Sequence, residues 1–142
     1  MTADDVRSQS AGCALEKPAK VDIVNVVIMT QSCDLENDKA ETVILCPFWS
    51  LDKFGYGKDK KEQIRKGYLP GVHLLNRDND LEIPYTIVEF SRLFTAPKAA
   101  LTQFASLLEN RPRLVSPYKE HLSQAFARYF MRVGLPSDIP PF

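Results

Sequence analysis

At 142 residues, 44% hydrophobic and 25% charged, the chain has the length and composition of one soluble globular domain, large enough to bury a core without staples. Its formal net charge is zero, no apolar run approaches the ~20 residues that cross a bilayer, and residues 1–20 lack the apolar core of roughly 7–15 residues that an export signal needs. These features argue against membrane insertion and predict a cytoplasmic protein whose Cys13, Cys33 and Cys46, odd in number and irregular in spacing, stay reduced.

Met1 to Lys20 mixes Ser, Ala, Asp, Glu and Pro18 without a period and reads as a loose arm or one poorly specified edge strand. Residues 21–135 read as a single domain. It opens on Val26 to Met29, a β-branched apolar run without alternation that predicts a strand buried on both faces. Glu36-Asn37-Asp38-Lys39 is a turn cluster, and Thr42 to Leu45 is a second strand, expected to stop at Pro47. The pair reads as a hairpin or meander with a long connection, which leaves Thr30, Gln31, Ser32, Cys33 and Asp34 at a strand end beside a loop. Such an end holds polar side chains rigidly at a surface.

After Pro47, Trp49 is expected to anchor the core. Lys58 to Lys66 reads as a short exposed helix capped by Gly67. Its lysines alternate with Asp59 and Glu62, which cancel most of the attraction for phosphate, so nucleic-acid contact there has weak support. Asn76 to Asp80 is a turn that lacks the ligand pattern of a calcium loop. Pro84 opens a strand over Tyr85 to Phe90, with Ser91 to Phe94 as a continuation. Lys98 to Glu109 reads as a helix with Leu101, Phe104, Leu107 and Leu108 on one face, with strand left open for part of it. The clearest helix starts with Ser116 as N-cap and Pro117 at the first position. It carries Tyr118, Leu122, Ala125, Phe126, Tyr129, Phe130 and Val133 as an apolar face and ends at Gly134 and Pro136. A proline-rich tail, 136–142, closes the chain.

The expected fold is α+β: a small, strongly bent antiparallel sheet or SH3-like barrel covered by the C-terminal amphipathic helix. This order of elements resembles the SH3-like barrel of the MazF/PemK-type toxins, RNA-cleaving members of bacterial toxin–antitoxin pairs, over roughly Val21 to Leu135. In that family an Arg-Pro pair leads into the buried strand, and the arginine stabilises the transferring phosphate. Here Val21-Asp22-Ile23-Val24-Asn25 carries no arginine, a loss of about 10²–10³ in rate. Ser50 stands near the family's threonine. The resemblance therefore implies the fold without the ribonuclease, unless Arg92, Arg111 or Arg113 reaches the site. Thr30 to Leu35, Pro117 to Gln124 and Phe130 to Pro136 separately resemble a family of uncharacterised bacterial proteins with a TQSCDL motif, which brings no function with it.

The candidate site residues fall in two groups. Cys33, Asp34, His73 and His121 are the residues from which catalysis would be built, with Cys33 as nucleophile and a histidine as its base. Against this, Asp34 beside the thiol opposes the thiolate, no nucleophile elbow surrounds Cys33, and Cys33 reads more simply as a small buried residue with Asp34 capping the turn. Zinc on Cys33, Cys46, His73 and Asp34 would lack the closely spaced pairs of a structural site, so no cofactor is expected. Gln31 and Ser32, with Arg111, Arg113, Arg128 and Arg132, are the expected binding residues. Residues 1–41 carry eight acidic and four basic side chains, whereas 111–132 carry five basic ones against Glu120 alone. That asymmetry suits either packing of the two ends or the orienting of a partner. The reading is a non-catalytic bacterial interaction or regulatory module in a toxin–antitoxin or phage-defence setting, with a protein partner or a second copy of itself. The alternative is a hydrolase or nuclease using Cys33 and Asp34.

Overall fold

The computed structural model describes residues 22–131. Cys13 and the expected N-terminal arm, and Arg132, Val133, Gly134, Pro136 and the expected tail, lie outside the described residues. The elements are β1 (Asn25–Ile28), α1 (Ser32–Glu36), β2 (Thr42–Ser50), α2 (Lys58–Arg65), β3 (Val72–Leu75), β4 (Thr86–Glu89), β5 (Phe94–Pro97), α3 (Lys98–Ser106) and α4 (Tyr118–Phe130). Short 3₁₀ turns occupy Leu51–Phe54 and Phe90–Arg92. The domain is α+β, and its five-stranded antiparallel sheet runs β1-β2-β4-β3 with β5 also on β2. The described strands do not close into a barrel, so an open antiparallel sheet is the form observed.

Strand β2 organises the sheet. Leu45 pairs with Ile28 on one side and Phe94 on the other, and Phe48 pairs with Asn25 and with Val88. Hence β1 takes one edge of β2, while β4 and β5 follow each other along the opposite edge. Between the Leu45 and Phe48 pairs, β2 has two residues, Cys46 and Pro47, whereas the facing chain has five, Glu89 to Leu93. The surplus is taken up by the 3₁₀ turn, so Ser91 to Phe94 does not simply continue β4.

That turn also corrects the expectation for Pro47, which does not end the strand. Ile44 bonds toward the β1 side, its C=O accepting from Met29 N–H at 2.9 Å and its N–H donating to Thr30 Oγ1 at 2.8 Å. By alternation Pro47 faces the other edge, where the ladder is broken between β4 and β5. A missing N–H costs least there, and the strand runs on to Ser50.

The sheet is covered on both faces. One face carries Cys46, Val88 and Phe90, all buried, which pack with Leu122 of α4 and with half-buried Val27, Met29, Phe126 and Tyr129. The Phe90 ring meets Phe126 edge-on at 5.5 Å between centroids. The other face carries Ile87 and Leu51 against Ile64 of α2, and Val43 beneath α3. Helix α2 ends as expected at Gly67 (φ 74°), with Gly67 N–H donating to Ile64 C=O and Tyr68 N–H to Gln63 C=O, both hydrogen bonds of a left-handed cap. Trp49 is a correction: it is half-buried, with Nε1 donating to Glu89 and Lys53 Nζ 4.1 Å from the ring centroid. Ser116 is another, because its hydroxyl donates to the Glu120 carboxylate at 2.7 Å and caps no backbone N–H. Residues 98–106 are helical, but of the apolar face expected there only Leu101 is half-buried, and Phe104 remains 59% exposed.

Removing the ring at the join of the turn and α4 is therefore expected to be costly. Phe90→Ala should lose about 3–5 kcal/mol in urea unfolding with an unchanged m-value, whereas Phe104→Ala should stay within about 0.5 kcal/mol.

Candidate functional site

The Thr30 to Asp34 corner is tied down by Thr30, whose hydroxyl extends the β1–β2 ladder by one bond. The chain then turns into α1 rather than a loop, which corrects the expected strand end. Asn37 Nδ2 donates to Cys33 C=O at 2.7 Å and Lys39 N–H to Asp34 C=O at 2.9 Å, closing the turn. Among the described residues the Asp34 carboxylate receives no backbone N–H, so it is not the cap that was expected. Beyond the turn, Lys98 at the start of α3 reaches back to the Asp38 carboxylate and the Leu35 carbonyl. Hydrogen bonding and then charge from Lys98 hold the Asp38 carboxyl below its ordinary value. This clasp ties α3 to α1.

Cys33 is exposed, correcting the buried reading, and its sulfur lies 3.6 Å from Gln31 Oε1 and 3.9 Å from Asp34 Oδ1. Among the described residues no hydrogen bond joins it to a histidine. Cys46 is fully buried on the α4 face, where burial pushes its thiol up to about 11. His73 pairs with Val88 across β3 and β4 and so shares the α4 face. Burial lowers its pKa from the ordinary imidazole value, and the charges of His121 and Arg128 on α4 lower it further. His73, His121 and Arg128 thus form one neighbourhood, and Gln31 to Asp34 form another. No group of three or more His, Cys, Asp or Glu side chains among the described residues is arranged to hold a metal ion, so Cys33, Cys46, His73 and Asp34 do not make a zinc site.

Arg111 lines an open groove of about 380 Å³ with Ile28, Leu35, Val43, Lys98 and Leu101. It is thus placed against α1 at Leu35, and Gln31, Ser32, Cys33 and Asp34 do not line the groove. Val43 lies seven residues before Ser50 along β2, about 23 Å at ~3.3 Å per residue, so Arg111 does not replace the missing arginine near Ser50. Arg92 is exposed in the 3₁₀ turn and Arg113 is exposed in the α3–α4 connection. In and beside the lysine-rich helix, Arg65 and Lys66 pair with Glu62, and Lys61 pairs with Asp52 of the preceding 3₁₀ turn. The groove itself had no sequence signal, because Ile28, Val43 and Leu101 read only as core.

No family model matches the chain, and no curated protein or solved structure matches it. Among the described residues no helix is long and apolar enough to cross a membrane.

Two measurements follow from this geometry. In a Cys13→Ser background, Cys33 should react with a thiol reagent at once, and Cys46 only on unfolding. The depressed His73 value means that folding favours the neutral imidazole. The stability this contributes is complete above the unfolded histidine value of about 6.5 and is lost as pH falls through the lower folded value. The melting temperature should therefore drop on acidification below about pH 6.5, before the carboxylates titrate, and His73→Leu should flatten that drop.

Proposed function

We propose that the chain is a non-catalytic interaction module whose partner is a protein segment carrying apolar side chains beside a carboxylate, held in the groove between α1 and α3. One observation carries the reading: Arg111, expected from sequence to bind, shares with Leu35 of α1 an open groove that has an apolar floor and two cations, Lys98 and Arg111, in its walls. Lys98 is already clasped to Asp38, whereas Arg111 has no ion pair among the described residues. A partner carboxylate would find Arg111, and the floor of Ile28, Val43 and Leu101 would take an apolar neighbour. Apolar surface continues along α3 at Phe104, Leu107 and Leu108, which are 59%, 77% and 42% exposed. The bacterial toxin–antitoxin or phage-defence setting rests on the sequence resemblance alone.

A photo-crosslinking residue at Thr102, in the groove, tests this against one at Lys119 on α4, with cross-linking carried out in the host. The reading expects Thr102 to capture one protein through an apolar, acidic peptide, and Arg111→Glu to abolish the capture. Capture from Lys119 alone, or indifference to Arg111→Glu, would overturn it, as would a hydrolase or ribonuclease activity abolished by Cys33→Ala.

A further inference from the structure

Among the described residues β1 is one outer strand of the sheet, and none of them pairs with its free edge. Because Met29 N–H bonds to Ile44 C=O, Asn25 and Val27 also face β2 by alternation, and the N–H and C=O groups of Val24, Val26 and Ile28 point away from it. Among the described residues those six backbone groups have no hydrogen-bond partner. Edges of this kind are ordinarily blunted by charge, proline, a bulge or a covering element. The run Ile23 to Ile28 has no charge and no proline, and it pairs with β2 in unbroken register. The opposite outer strand, β3, differs: Pro70 stands just ahead of it, and α2 and α4 both pack against it.

We propose that the free edge of β1 pairs antiparallel with the same edge of a second copy of the chain, about a two-fold axis at Val26. The occupant follows from the self-complementarity of the edge. With Val26 opposite Val26 of the second copy, the outward groups of Val24 meet those of Ile28, and those of Ile28 meet Val24, so every unpaired group finds its counterpart. The register also accounts for a side chain that the single chain leaves without a role. Ile23 is 97% exposed, and this pairing lays it beside Met29 of the second copy, at the rim of the α4-side core. On the other face, Ile28, 49% exposed at the end of the groove, gains Val24 of the second copy. The edge is uncharged, so nothing in the pairing opposes like meeting like. The sheets of the two copies then become one continuous sheet. This association requires no partner in the groove.

The test is sedimentation velocity of the full chain over a concentration series, joined to amide exchange of Val26 and Ile28. The expected result is a species of twice the 16.1 kDa chain mass, with both amides slowing as concentration rises. Val26→Pro removes only an outward-facing N–H, the position at which an edge strand tolerates proline. It should keep the far-UV spectrum and raise the dimer dissociation constant at least about tenfold. If that variant fails to fold, Ile23→Lys, at a fully solvated position, decides in its place with the same expected loss. A monomer throughout the series, a dimer whose Val26 and Ile28 amides exchange as in the monomer, or a dimer undiminished in the deciding variant would overturn the proposal.

Discussion

The structure depends on a single long strand serving three neighbours. Because β1 occupies one edge of β2, β4 and β5 must share the other, and they can do so only if the chain between them steps out of the ladder. Phe90–Arg92 makes that step as a 3₁₀ turn, and Phe90 is driven into the core beneath α4 as a result. Pro47 is tolerated in the middle of a central strand for the same reason: its missing donor falls where the ladder is already interrupted. The break in the ladder, the proline and the buried ring of Phe90 are therefore one device.

Helices on both faces then determine which side chains can act together. Side-chain alternation along β3 turns His73 toward α4, and alternation along β2 sends Cys46 to the same side and Val43 to the other. Cys33 and Asp34 belong to α1, which the Lys98 clasp ties to α3. A thiolate–imidazole pair would have to join α1 to the α4 face. Among the described residues Cys33 has its hydrogen bonds to the side-chain oxygens of Gln31 and Asp34, poor surroundings for a nucleophile. Binding at an apolar groove with a cation in its wall asks for none of this.

Much of this architecture was legible in the sequence, for local reasons. The strand at Val26 to Met29, the Gly67 cap, the turn around Asp78 and the C-terminal helix each follow from residue type and spacing within a few positions. Strand β1 is nevertheless a half-buried outer strand with Ile28 exposed, and is not buried on both faces as its apolar run predicts. What escaped depends on tertiary partners. Pro47 reads as a strand end until the broken ladder opposite it is seen, and Ser116 reads as a backbone cap until Glu120 is found to take its hydroxyl. Five residues, Ser32–Glu36, form a helix with no periodicity to announce it. The convergence of Arg111 with Ile28, Leu35 and Val43 in one groove joins residues far apart in the chain, and no local pattern encodes it.

The most direct measurement is a solution NMR map of cross-strand contacts along β2, with side-chain contacts of the His73 ring. The account predicts that Leu45 contacts both Ile28 and Phe94, that Phe48 contacts both Asn25 and Val88, and that the His73 ring contacts the α4 side alone. A strand that ends at Leu45, or contacts between the His73 ring and the Cys33 β-protons, would contradict it and return the thiol and imidazole to a single site.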